Sequence, residues 1–310
     1  MRRADIPPGA DAERVSRPVC AGSALVVVPT YQEAGAIEAT LGALAAGAPG
    51  VDALVVDDAS PDGTADIVED LAATRPRLHL LRRPGKAGLG PAYLAGFAWG
   101  LEHGYAAVVE MDADGSHDPA AVPALLAALG DADLVIGSRY VPGGRIPGWS
   151  LRRRWLSAAG NRYASVTLGL PVADLTSGFR AFRSALLAEV TAGSVHSGGY
   201  GFQIEMAYRA ACAGARIVEV PICFVDRTEG SSKMSASIAV EALVRVTGWA
   251  LRRRMDQIGA AVTWQGSEEL QQLRRPTPAT RHRGVGAAAP DQRGERPVSA
   301  VATPPVRAAT

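Results

Sequence analysis

The chain has 310 residues, 47% of them apolar and 20% charged, with 32 Lys plus Arg against 31 Asp plus Glu and a formal net charge of +1. This length and composition suit one large α/β domain or two small ones and exclude a collagenous chain and a disulfide-stapled miniprotein. The balanced charge gives no global case for nucleic-acid binding. Cys20, Cys212 and Cys223 are widely spaced and form no C-x-x-C pair, so neither a zinc site nor a disulfide framework is indicated and a reducing cytosol fits. The N-terminal residues lack the apolar core of a secretory signal. No run reaches the roughly 18 apolar residues of a spanning helix. Ser237 to Leu251 comes nearest, but Glu241 and Arg245 interrupt it, so it is expected to lie on a membrane and not to cross one.

Residues 1–22 are rich in Pro, Gly and charge, and beyond Trp264 the chain turns to Pro, Ala, Arg and Gln, so both ends read as disordered. Between them β-branched runs alternate with amphipathic stretches, the pattern of a βαβ layered fold. Ala24 to Pro29 is a continuous apolar run expected as a strand buried on both faces, and Ala36 to Ala46 a helix. Asp52 to Asp57 is a second strand, and a turn at Asp62-Gly63-Thr64 caps a helix over Ala65 to Thr74. Leu78 to Leu81 is a strand, Pro91 to His103 a helix, Ala106 to Met111 a strand, Pro119 to Leu129 a helix and Asp133 to Gly137 a fifth strand. The second half is less regular. Leu151 to Leu168 is helical, Phe179 to Phe182 a short strand, Phe202 to Cys212 a helix, and Arg216 to Val225 a strand that Pro221 assigns to an edge or a bulge. A helix over Ser235 to Arg254 closes the ordered part, and no internal repeat is present. The expected organisation is an arm over 1–22, a catalytic domain over 23–234, an amphipathic helix over 235–258 and a tail over 259–310.

In open α/β sheets ligands bind beyond the carboxyl ends of the strands. The residues found there are Pro29-Thr30-Tyr31-Gln32-Glu33, Asp57-Asp58-Ala59-Ser60, Asp112-Ala113-Asp114 and Gly137-Ser138-Arg139. An aromatic, several carboxylates and an arginine on one rim suit a nucleotide diphosphate held with a divalent metal. Tyr31 can stack on a base, Glu33 or Asp58 can accept hydrogen bonds from base or ribose, and Asp112 with Asp114 can offer hard oxygen ligands to Mg²⁺ or Mn²⁺. Each has a plainer reading: turn or helix-capping acids for the Asp pairs, a core aromatic for Tyr31, a solvated helix face for Arg152-Arg153-Arg154 and Arg252-Arg253-Arg254. The glycine-rich stretch around Lys86 (Gly85, Gly88, Gly90) lacks P-loop spacing and reads as a mobile loop. The histidines, His117 among them, form no metal pair, and there is no G-x-S-x-G elbow.

The motifs PTYQE, VVDDASPDGT, RPGKAGLGPAY, MDADGSHDP, GSRY, DLTSGFRAF, GYGFQIEMAYRA and EVPICFVDRTEGSSK, in that order over Ala24 to Leu251, resemble the dolichyl and polyprenyl phosphate mannose synthases, family 2 glycosyltransferases of the GT-A fold. Gln32 stands where that family usually has Asn, and Ala59 where Gly is common. The resemblance implies a mostly parallel, Rossmann-like α/β sheet flanked by helices and inverting transfer of mannose from GDP-mannose to a polyprenyl monophosphate. It implies Pro29, Tyr31 and Glu33 around the guanosine, with Val56 and Asp58; Asp112, Ala113 and Asp114 as the metal and diphosphate segment, with Ser116 beside them; and Arg139, Arg227 and Lys233 on the donor diphosphate or acceptor phosphate. Asp114, Arg139, Arg227 and Lys233 are the expected catalytic group, with Arg153 or Arg154 as further candidates for the lipid phosphate. A phosphate monoester acceptor is mostly dianionic at neutral pH and needs no general base, so cationic screening should dominate. Ile238, Val240, Leu243, Val244, Val246, Trp249 and Leu251, followed by arginines, suit a helix in the membrane interface or one packed on the enzyme itself. The implied partners are a membrane surface and a separate integral membrane protein, on the inner face of the cytoplasmic membrane, and no nucleic acid. Glucosyl or N-acetylglucosaminyl transfer from a UDP-sugar is the alternative activity, and a non-catalytic nucleotide-sugar-binding module the alternative class.

Overall fold

The computed structural model describes residues 23–195, 199–226, 243–252 and 254–255. Arg227, Lys233, both chain ends and part of the expected 235–258 helix lie outside the described residues. Seven strands form one sheet: β1 (Ala24–Thr30), β2 (Asp52–Asp57), β3 (Leu78–Arg82), β4 (Ala107–Glu110), β5 (Leu134–Ser138), β6 (Arg180–Arg183) and β7 (Ile217–Pro221), in the order β3-β2-β1-β4-β6-β5-β7. All run parallel except β6, which pairs antiparallel with both β4 and β5. The apolar runs become strands because both faces of the sheet are covered, so successive side chains all find apolar partners. Leu25 and Val27 pack with Leu54 and Val56 into one core, while Val26 and Val28 pack with Val55 and Val109 into the other.

The first core lies under α3 (Leu89–Glu102), α5 (Leu151–Leu168), α6 (Ser184–Thr191) and α7 (Gly199–Cys212); the second lies under α1 (Ile37–Gly47), α2 (Thr64–Ala72) and α4 (Val122–Ala128). Helix α3 sits close on β1 because Gly96 faces it: a Cβ there would fall 2.4 Å from a Val27 methyl. The helix over Pro119 to Leu129 is divided into a 3-10 turn, Pro119–Ala121, capped by the Asp118 carboxylate, and then α4. The long strand expected over Arg216 to Val225 stops at Pro221, on the sheet edge as that proline requires; Cys223 and Phe224 make only isolated bridges to Arg145 and His117.

Helical residues 243–252 combine the two readings of the C-terminal segment. Val246 and Ala250 are buried in the first core, Trp249 stacks on Tyr208 at 5.8 Å and Thr247 shares a 2.8 Å hydrogen bond with Tyr163. Leu243, Val244, Leu251 and Met255 face outward.

Candidate active site at the carboxyl end of the sheet

Chain order reverses direction across the sheet between β1 and β4, so the loops leaving these two adjacent strands open a crevice there. The β1 loop is fastened to the β2 loop. Thr30 donates to Asp57 at 2.8 Å, and Asp57, 1% exposed, also accepts from the Ser60 N–H and hydroxyl. The N–H groups of Gln32, Glu33 and Ala34 donate to Ser60, Thr64 and Asp62. Burial raises the Asp62 pKa, but hydrogen bonds from the Thr64 hydroxyl and from backbone N–H groups outweigh it and hold the carboxyl below its usual range. Gln32 and Ala59 are the two non-glycine residues with positive φ among those described, at 59° and 56°. These are the two positions where the sequence departs from the family pattern, and Asn and Gly suit the left-handed region better than Gln and Ala.

The glycine-rich loop is anchored. Asp58, 3% exposed, accepts from the N–H groups of Ala87 at 3.0 Å and Gly88 at 2.9 Å and pairs with Arg83, so its carboxylate holds a loop in place where a contact to base or ribose was expected. That loop brings the Lys86 ammonium 3.7 Å from the centre of the Tyr31 ring, so the aromatic expected to stack on a base already carries a cation on one face. Pro29 lies in β1 in register with Val56. The Val56 side chain is fully buried in the core, so only its backbone can serve the nucleotide. Glu33 remains partly exposed at the rim.

After β4, Asp112 and Asp114 are partly exposed while Ala113 is buried, its carbonyl accepting from Thr40 at 2.8 Å. Asp114 accepts from the Ser116 N–H at 3.0 Å. The Ser116 hydroxyl is buried and without a hydrogen-bond partner. Two carboxylates and an unpartnered hydroxyl within five residues are hard oxygen donors that fit Mg²⁺ or Mn²⁺. Three oxygens fill only part of the shell of such an ion, and among the described residues no cluster of three His, Cys, Asp or Glu is found. His117 adjoins this turn. Its Nδ1 accepts from the Asp112 N–H at 3.2 Å and its ring stacks on Phe179; burial keeps it neutral by lowering its pKa, against the pull of Asp112 and Asp114. Tyr93 donates to Asp112 at 3.3 Å, and burial first, then the nearby carboxylates, hold its pKa well above the usual value, so it stays a donor.

Arg139, expected on a phosphate, stands in the wall of the site. It is 7% exposed and grips Asp174 with two 2.7 Å bonds, with a third at 2.8 Å to Thr176, and Tyr140, Trp149 and Phe224 surround the guanidinium at 5.3 to 5.7 Å. The pair with Asp174 fixes the orientation of the guanidinium, and the group organises this wall of the site. Arg153 lies nearer the surface, 4.0 Å over Trp149 and paired with Asp226 at 2.7 Å. Arg154 is exposed on α5. The segment after β7 closes the wall, with the Val225 N–H donating to Ser116 and the Phe224 N–H to Arg145. Tyr93, His117 and Asp174 come from separate elements; each lies within one of the motifs RPGKAGLGPAY, MDADGSHDP and DLTSGFRAF, but none is singled out there as a site residue.

Residues 25–191 match the family described as Glycosyl transferase family 2. The chain is 51% identical over 236 residues to an undecaprenyl-phosphate mannosyltransferase from Micrococcus luteus, spanning 76% of this chain and 97% of that protein. The chain belongs to glycosyl transferase family 2. It is also 47% identical over 240 residues to a polyprenol monophosphomannose synthase from Mycolicibacterium smegmatis, covering 77% of this chain and 91% of the other. Among solved structures, this glycosyltransferase shares its fold with glucosyl-3-phosphoglycerate synthase from Mycobacterium tuberculosis. The complex of that enzyme with Mn²⁺, UDP and glucosyl-3-phosphoglycerate aligns with a TM-score of 0.54 at 20% identity, over 73% of this chain and 80% of the other. The mixed α/β sheet, parallel but for one strand, is thus the GT-A architecture expected from the sequence.

Proposed function

We propose that this glycosyltransferase transfers mannose from GDP-mannose to a polyprenyl monophosphate with inversion at the anomeric carbon. The observation that carries the reading is the 51% identity spanning 97% of an undecaprenyl-phosphate mannosyltransferase. An oxygen of the acceptor phosphate attacks the anomeric carbon as the bond to the β-phosphate oxygen breaks, and GDP departs with the electron pair. The second pKa of such a phosphate is about 6, so at neutral pH the nucleophile carries no proton to remove. This accords with a site histidine, His117, that is buried, neutral and spent on a backbone N–H. A divalent ion held by Asp112, Asp114 and the orphaned Ser116 hydroxyl would offset the charge that builds on the departing diphosphate.

Tyr31, Lys86 and Glu33 form the rim for the guanosine. Arg139, Arg227 and Lys233 are assigned the donor diphosphate or acceptor phosphate, with Arg153, at the start of α5 and paired with Asp226, or Arg154 as a further candidate for the lipid phosphate. The outward face of α5 carries Leu151, Trp155, Leu156 and Val166 at 61 to 82% exposure, interspersed with exposed Arg152, Arg154 and Arg162. With the outward residues of 243–255, it suits an enzyme lying on an anionic membrane surface to reach a lipid acceptor. No helix among the described residues is long and apolar enough to cross a membrane. A place on the inner face of the cytoplasmic membrane, with or without an integral partner, belongs to the same proposal, as do a catalytic domain over 23–234 and an interfacial helix over 235–258. The test is sugar transfer to a short-chain polyprenyl phosphate in detergent from GDP-mannose, UDP-glucose and UDP-N-acetylglucosamine, with Mg²⁺ and with EDTA. Metal-dependent mannolipid from GDP-mannose alone is expected; transfer only from a UDP-sugar would overturn the donor assignment.

A further inference from the structure

Beneath the Asp112 carboxylate lie side chains that the proposed reaction does not use. Glu110 precedes Asp112 by two residues on β4 and its immediate extension, so both point to one face of the sheet. Helices α3 and α7 cover that face, joined by Tyr93 stacked on Phe202 at 6.0 Å. The next residue of α7 is Gln203, 2% exposed, whose amide bears on Glu110 but makes no close hydrogen bond through either Nε2 or Oε1. Both oxygens of fully buried Glu110 are equally without one. Native interiors leave few polar groups in that condition.

These groups are gathered at one place. A Cβ built on Gly178 would meet both carboxylate oxygens of Asp112 and Nε2 of Gln203, each at 3.7 Å, so amide and carboxylate face one small space that the absence of a side chain at 178 keeps open. Tyr93 reaches the same carboxylate at 3.3 Å. Arg180 pins the walls of this space, donating to the carbonyls of Leu175 and Ser177 on one side and of Gln203 on the other at 2.6 to 2.7 Å. The amide bears on Glu110 and faces the same gap as the partly exposed Asp112 carboxylate, with hydrogen-bonding capacity to spare.

We propose that Gln203 is a positioning residue for the donor: with Tyr93 it holds the Asp112 carboxylate in the orientation that engages the nucleotide diphosphate and its metal. The inference rests on the reading of Asp112 as a donor-side ligand given above. Groups that orient a metal ligand typically govern about 10- to 100-fold in affinity. Gln203→Met keeps the length of the side chain and removes its amide. It should weaken Mn²⁺-dependent GDP binding, measured by calorimetry, and raise the donor KM about tenfold, with the polyprenyl phosphate KM changed less than about twofold.

The decisive comparison is the double variant Gln203→Met with Asp112→Asn, alongside both single variants. A mount that acts through Asp112 predicts that the double variant binds GDP no worse than Asp112→Asn alone, whereas a merely structural role predicts additive losses. Additivity, or a Gln203→Met protein that binds GDP like wild type while Asp112→Asn does not, overturns the mount. An Asp112→Asn protein that binds GDP and Mn²⁺ normally overturns the donor placement itself and the mount with it. Should Gln203→Met fail to fold, Gln203→Asn, which keeps an amide but withdraws it from the gap, takes its place in the same cycle: non-additive losses support the mount and additive losses overturn it.

Discussion

Replacing Glu110 by Gln should make the fold markedly less sensitive to alkaline pH. Glu110 is fully buried, and burial, against the opposing pull of Arg180 and Gln203 and with the added push of Asp112, raises its pKa from 4.5 to about 8. The folded chain therefore holds a proton that the unfolded chain releases. Stability from this group is complete below pH 4.5 and is lost as pH rises toward 8. At about 1.4 kcal/mol per pH unit the loss over that window is about 5 kcal/mol, an upper bound because the interior relaxes when the group ionises. Gln has the same shape and does not titrate. Thermal unfolding of both proteins in EDTA from pH 5 to 9 should show similar Tm values at pH 5 and a gap opening in favour of Glu110→Gln. At about 2–4 °C per kcal/mol for a domain of this size, that gap would reach about 10 °C or more near pH 8. Tm curves that stay parallel across the range would refute the assignment of a neutral buried carboxyl at this position.

Ala59→Gly should stabilise the enzyme by about 0.5–1 kcal/mol, since relief of left-handed strain exceeds the extra freedom of glycine in the unfolded chain; chemical denaturation checks this, and a loss would contradict the positive φ. Asp174→Ala should cost about 3–5 kcal/mol by leaving Arg139 buried without its partner, read as a fall in the denaturation midpoint. Asp114→Ala should reduce kcat by about a hundredfold or more with Tm nearly unchanged, because the residue is partly exposed and, in the proposed function, serves the diphosphate; normal turnover would remove it from the site. Trp155→Ser, at a position 72% exposed on α5, should weaken flotation with anionic liposomes while leaving transfer to a detergent-dispersed acceptor intact, and unchanged flotation would detach α5 from the membrane.

The strands of the first half were legible because each is a short apolar run bounded by turn residues, and the rim could be read from the polar residues at the carboxyl end of each run. That procedure places Asp112, Asp114, Tyr31 and Glu33 at one edge, where the structure has them. It does not show what each polar side chain is spent on. Asp58 is expected on a ligand, and the structure adds that its carboxylate holds a loop 29 and 30 residues away; Arg139 is expected on a phosphate, and the structure adds that Asp174, 35 residues away, orients it. Such commitments depend on tertiary approach and leave no periodic trace. The same holds for Glu110 and Gln203, which read as an ordinary strand residue and an ordinary helix residue until α7 is laid across β4. Helix α6 escaped because its eight residues, SALLAEVT, are too short to establish a period. The antiparallel course of β6 is set by its pairing with β4 and β5, not by its four residues.

The central claim is direct displacement by a lipid phosphate with no general base, and the anomeric configuration of the product tests it most directly. GDP-mannose has an α-linked sugar, so a single in-line attack should give a β-mannosyl phosphate, identified by NMR on the isolated lipid from a reaction with short-chain polyprenyl phosphate. A β-linked product is the predicted result. An α-linked one would mean retention, whether by two displacements or by attack on the face the GDP leaves, and would contradict the account.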